Sequence, residues 1–165
     1  MTVRAILQWP DPRLSTIADP VSKITDEIKQ IWQDMIETMD AMPGVGLAGP
    51  QIGVMLRLAV VDVTQDRTRR VRVANPEIID ASTDLRTHDE ASPCLPGVSA
   101  KLKRPRKVAI RFLNENGVIM RRDFEDLEAT SIQHQIDHLN GKLYFHNLTK
   151  MKQDMLLRKA KKARV

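Results

Sequence analysis

The sequence predicts an α+β fold. Three observations carry this: an amphipathic helix near the N-terminus, a middle third of short apolar segments at strand period, and a late helix with demanding residues on two faces. The 165 residues suit one domain with a sizeable core. A composition of 42% hydrophobic and 28% charged residues excludes disordered and collagen-like chains.

Residues 3–21 contain Pro10, Pro12 and Pro20 and read as an extended arm, because each proline removes a donor and turns its predecessor away from helix. The first helix follows. Thr25 is placed to cap it, Asp26 and Glu27 suit its positive end, and Ile24, Ile28, Trp32, Met35 and Met39 recur at spacings of 4, 4, 3 and 4. Pro43-Gly44 ends it. Leu56 to Val63 reads as a buried strand and Arg70 to Asn75 as a half-exposed one. Val108, Ile110 and Phe112, then Asn116-Gly117, then Val118 to Met120 read as a hairpin. From about Glu125 to Asn140 the period is helical, with Ala129, Ile132, Ile136 and Leu139 on one face and Leu127, Ser131, His134 and His138 on the other. That predicts a central helix whose histidines face a cavity. Thr149 to Arg164 reads as a last helix with Leu148, Met151 and Met155 inward and lysines outward.

The single cysteine, Cys94, builds no disulfide framework and points to a reducing compartment. No signal-like segment or membrane-length apolar run is present, so a cytoplasmic location and no membrane partner are the expectation. The formal charge of +5 is concentrated: residues 149–165 hold seven basic groups and one acid, so the tail carries +6 and residues 1–148 carry −1. The expected organisation is a domain over 1–148 and a basic helix over 149–165.

His134 and His138 stand four apart, which puts both imidazoles on one helical face within reach of one ion. Alone, such a pair is as well explained by two satisfied polar groups near a core. Other segments add weight. Gly44-Val45-Gly46-Leu47-Ala48-Gly49-Pro50-Gln51 resembles the G-x-G-L-A-A-x-Q motif of the peptide deformylase family, and Gln133-His134-Gln135-Ile136-Asp137-His138-Leu139 resembles its Q-H-E-x-D-H-L. Pro10-Asp11-Pro12-Arg13-Leu14 is similar to the family's opening, and Pro96-Gly97-Val98, Arg104-Pro105 and Lys107-Val108 to the stretch after its second motif, E-G-C-L-S-x-P. The resemblance runs from about residue 5 to residue 150.

It implies a deformylase-like fold, antiparallel or mixed sheets around the helix carrying two histidines, and an activity that removes formyl groups from N-terminal methionine. It also implies a divalent ion (iron, zinc or nickel) on a cysteine and two histidines, a glutamate that moves the proton, and an oxyanion hole made of a glutamine amide and the backbone N–H after the cysteine. Residue by residue, His134, His138 and Gln51 match. The glutamate position is Gln135, and an amide cannot take the proton.

Motif two, Glu90-Ala91-Ser92-Pro93-Cys94-Leu95, reads in two registers. Ungapped, which is preferred, Ser92 takes the ligand position and Pro93, which has no N–H, the oxyanion position. Gapped, Cys94 and Leu95 regain both roles. Val45, Gly46 and Glu90 are the expected substrate contacts. A lone Gln135 would suit a substitution made to trap substrate; with motif two altered as well, the pattern is that of a natural paralogue.

The expectation is therefore a deformylase-like protein of impaired or altered activity, its metal in doubt. One alternative is an active metal-dependent deformylase using Cys94, His134 and His138. The other is a ribosome- or nucleic-acid-associated protein with a vestigial pocket, bound through residues 149–165. Cys94 as a nucleophile is set aside, since nothing places a histidine as its base. His88 and His146 read as surface or helix-end groups, Trp9 and Trp32 as core, and Asp137 as a hydrogen-bonding neighbour of the histidines rather than a ligand.

Overall fold

The computed structural model describes residues 2–163. Three helices, α1 (Asp26–Ala41), α2 (Asp126–Leu139) and α3 (Lys150–Ala163), accompany seven strands: β1 (Gly46–Ala48), β2 (Leu58–Val61), β3 (Val71–Ala81), β4 (Leu85–Glu90), β5 (Ala100–Pro105), β6 (Lys107–Leu113) and β7 (Ile119–Glu125). An antiparallel sheet runs β1-β2-β3-β6-β7, and β4 and β5 pair separately.

Strand β2 is buried along its whole length, and its alternation sorts the core. Leu58 and Val60 face α1, joining Trp32, Met35 and Met39. Ala59 and Val61 face α2, joining Ile110, Phe124, Ile132 and Ile136. The larger sheet therefore lies between two helices, and α2 is buried along most of its length, as expected of a helix with residues to hide on two sides. At the start of α1, the Thr25 side chain accepts the Ile28 N–H.

The sequence reading differs from the structure in three places. Strand β3 runs past Pro76 to Ala81, because register shifts at Ala74/Glu77 and Ile78/Asp80 absorb the interruption. The β4–β5 pair had no apolar alternation to announce it. In α3, Met151 and Met155 are 73% and 51% exposed, while Leu156 and Ala160 are buried. The helix thus turns a different stripe inward, onto a cluster with Leu14, Cys94, Leu95 and Phe145. At its end, a Cβ placed on Gly97 would lie 2.7 Å from Ala163 Cβ. The expected end of this helix at Arg164 lies outside the described residues.

The N-terminal arm ties the motif segments together. Leu7 N–H donates to Gln51 O (2.8 Å), Trp9 N–H to Cys94 O (2.8 Å), and Gln8 Nε2 to Pro93 O (2.9 Å). No helix among the described residues is long and apolar enough to cross a membrane.

Because α3 covers the cluster under Cys94 and Leu95, Leu156→Ala should lower unfolding stability by about 2–5 kcal/mol, whereas Met151→Ala should stay within about 0.5 kcal/mol. Urea unfolding midpoints of the two variants check this.

Candidate active site

A groove of about 430 Å³ opens between the segment from Met42 to Gly46, the end of β4 and α2. Such a volume suits part of a peptide. Val45, Gly46, Gln51, Glu90, Ser92, His134 and Gln135 line it, so most of the residues expected from sequence do converge.

His134 is fixed by a buried ion-pair network. Glu90, 3% exposed at the end of β4, accepts Nε–H and Nη2–H of Arg104 from β5, at 2.6 and 2.9 Å. Its Oε1 also lies 2.9 Å from His134 Nδ1. Burial alone would raise the Glu90 carboxyl, but the hydrogen bonds and charges of His134 and Arg104 hold it down at about 2. A carboxyl that ionised can only accept, so Nδ1 is the donor and Nε2 is left for a ligand. Arg104 Nη1–H goes on to Asp137 Oδ2 (3.0 Å), which also receives Asn147 Nδ2–H (3.2 Å). Asp137 thus has the supporting role read for it.

The His138 ring lies 5.0 Å from that of His134, centroid to centroid. It is 1% exposed, and neither ring nitrogen has a hydrogen-bond partner. Burial, followed by the charges of His134 and Arg104, pushes it well below the usual imidazole range, so it is a neutral base. A neutral buried imidazole with two free lone-pair or N–H sites, beside a second one, fits a divalent ion.

The third donor is not assembled. Among the described residues no three His, Cys, Asp or Glu side chains come together as a metal-holding group. Ser92 lines the groove, whereas Cys94 is fully buried in the apolar cluster. Its thiol receives Gln51 Nε2–H at 3.5 Å. Burial pushes that thiol up, against the hydrogen bonds from Gln51 and Ser92. The Leu95 N–H is committed to Ser92 O (3.0 Å), and Pro93 has none to give.

Gln51 is held by its other end, Oε1 accepting the Ala48 N–H at 2.9 Å. On the strand side, Val45 O accepts both the Asp62 N–H (3.1 Å) and Ser131 Oγ–H (2.9 Å), which fixes the wall of the groove.

Sequence reasoning missed several groove residues. His88, read as a surface group, lines it with Asp89 and Thr130, while Ser131, expected on the histidine face of the helix, lines it too. The period-two pattern of β4 could have flagged His88 only with the pairing to β5 in hand. His146 does sit at a short helical turn, where Nδ1 accepts the Leu143 N–H.

An α+β domain whose buried helix brings one imidazole to a groove edged by a strand and packs a second, unpartnered one beside it holds the kind of histidine pair that metallohydrolases use. The comparisons name the group. The polypeptide deformylase profile matches residues 3–154. The peptide deformylase of Afipia carboxidovorans is 40% identical over 99% of this chain and 96% of its own. That of Azotobacter vinelandii is 40% identical over 98% and 96%. The crystal structure of a peptide deformylase from Legionella pneumophila superposes with a TM-score of 0.93 at 37% identity, covering 99% of this chain and 96% of that one. The Ehrlichia chaffeensis enzyme in complex with actinonin gives 0.92 at 34% identity, covering 99% and 98%. The chain belongs to the polypeptide deformylase family.

The depressed Glu90 carboxyl makes stability pH-dependent. Its contribution is whole above the ordinary value of 4.5 and fades as pH falls toward about 2, since the unfolded state takes up the proton first. Glu90→Gln leaves Arg104 underpaired and should cost roughly 3–5 kcal/mol at pH 7. The gap from the unmodified protein should shrink on going from pH 5 to pH 2.5, measured by denaturant midpoints.

Proposed function

We propose that this chain is a working peptide deformylase, acting on N-formyl-methionyl peptides at a rate lowered by its own active-site residues. The observation that carries the reading is the pair of imidazoles on α2, His134 lining a peptide-sized groove and fixed by Glu90, and His138 buried beside it with both nitrogens unpartnered. Full-length likeness to relatives named peptide deformylase supports activity over a silent or merely binding protein. Nothing in those likenesses points to impairment; that part rests on Gln135, Pro93 and the third ligand position.

The peptide would lie extended along the edge of β1 at Val45 and Gly46, as an added strand. His134 and His138 would hold a divalent ion, with Ser92 or Cys94 as third donor after a local shift of that loop. Bound there, the ion supplies Lewis acidity toward the formyl carbonyl and toward water.

Hydrolysis adds water to the formyl carbon, breaks the C–N bond, and needs a proton delivered to the leaving amine as formate departs. Negative charge gathers on the former carbonyl oxygen. With Pro93 lacking an N–H, the Leu95 N–H committed and the Ser92 hydroxyl hydrogen-bonded to the Cys94 thiol, the donors for that oxygen include the side-chain amides of Gln51 and Gln135. Gln135 takes no proton, so transfer falls to solvent.

Contact with the ribosome through the basic helix is a separate proposal. Lys101, Lys152 and Lys159 flank a cavity of about 250 Å³ between β5 and α3, which suits an anionic surface. Lys152→Glu with Lys159→Glu should weaken ribosome co-sedimentation without unfolding the protein, a cleaner test than truncation of a helix that covers the core.

The deciding assay is turnover of a formyl-methionyl peptide. The unmodified protein should deformylate slowly but saturably, and Gln135→Glu should raise kcat by roughly 10²–10⁴. No turnover in either form contradicts the reading.

A further inference from the structure

The Gln135 side chain is 3% exposed, lines the groove, and makes no hydrogen bond to any described residue. A buried carboxamide with both ends unpartnered is unusual, because such groups are satisfied in nearly all folded proteins. Its two ends differ in access. Oε1 is sealed from solvent. The amide therefore reaches the groove through Nε2, and a Cβ built on Gly46 would collide with that nitrogen and come within 2.5 Å of Ser131 Oγ. Glycine at 46 is thus what leaves the amide uncovered at the strand edge.

The electrostatics around it agree. His138 is neutral, and the Glu90 charge is taken up by Arg104 and His134. With an amide at 135, the groove beside His134 presents an N–H donor, and the adjacent Glu90 carboxylate is already engaged, while the exposed Asp89 also lines the groove. We infer that Gln135 is a ligand-binding residue whose Nε2 donates a hydrogen bond to a carbonyl oxygen of the bound peptide's acylated N-terminus.

This rests on the deformylase reading and deepens it. A donor that engages the carbonyl already in the bound state stabilises the ground state along with the transition state, so it tightens binding without raising kcat. Gln135 would then have two separate effects, slowing turnover by moving no proton and tightening substrate binding by its hydrogen bond. A carboxylate at the same position could accept from an N–H but could not donate to a carbonyl, so Gln and Glu predict opposite signs of binding change.

The test is stopped-flow binding of a formyl-methionyl tripeptide, read before turnover, on the full chain with Gln135→Glu, Gln135→Leu and Gly46→Ala. The unmodified protein should bind most tightly. The dissociation constant should rise about 2- to 10-fold in Gln135→Leu, at least as much in Gln135→Glu, and again in Gly46→Ala, where the added methyl covers the donor. Gln135→Glu is near-isosteric and keeps the comparison usable if the leucine variant does not fold. Binding by Gln135→Glu equal to or tighter than that of the unmodified protein overturns the inference while leaving the deformylase reading intact. Failure of the unmodified protein to bind the peptide at any concentration overturns both.

Discussion

Arg104 is caught between two acids from two other elements, Glu90 on β4 and Asp137 on α2, and much of the site hangs on that grip. The β4–β5 pair and α2 come together here, and neither β4 nor β5 carries enough apolar surface to dock by burial alone. A buried guanidinium is tolerable only when its donors are taken, and Glu90 takes two of them while its Oε1 orients His134. The same residues thus attach the small sheet and fix the tautomer of a candidate ligand. A change that removed the arginine would leave two carboxylates without their partner and would free the imidazole to turn.

Against this retained frame, the departures from the family pattern fall on atoms that would face the reacting group. Gln135 stands where the family resemblance expects a proton carrier, and in the ungapped register proposed for motif two Pro93 would remove an N–H and Ser92 would put a hydroxyl where a thiolate is expected. Cys94 does not compensate in the observed arrangement. Its carbonyl is held by Trp9, its thiol lies among Leu14, Leu95 and Tyr144, and burial favours the protonated form that a metal does not want. The core beneath the site is closely buried, which is why fold and family are plain.

The parts of the fold visible in the sequence are those specified locally. Thr25 and the 4-4-3-4 spacing define α1 within a few turns of chain, Asn116-Gly117 defines the β6–β7 hairpin, and the two-faced pattern of residues 125–140 marks α2 as central. What escaped depends on distant partners. The continuation of β3 past Pro76 needs bulges that only the pairing with β6 reveals. In α3, Met151 and Met155 compose as plausible an inward stripe as Leu156 and Ala160, and the choice is made by where the Leu14–Phe145 cluster lies. In the hairpin, the apolar segment Val118 to Met120 is exposed, and Phe124, which the sequence did not single out, carries the packing. At the site, His134, His138, Gln51 and Gln135 came from motifs. His88 and the Arg104 network required the fold, because nothing in the chain shows that β4 ends at a groove.

Glu90 holds His134 with its proton on Nδ1, leaving Nε2 bare beside neutral His138. The most direct measurement is the long-range ¹H–¹⁵N spectrum of the histidine side chains at pH 8, before and after one equivalent of zinc. The expected spectrum shows a protonated Nδ1 and an unprotonated Nε2 on His134, with that Nε2 and one His138 nitrogen shifting when zinc is added. A proton on Nε2 of His134 with a bare Nδ1, or no response of either ring to zinc, would contradict it.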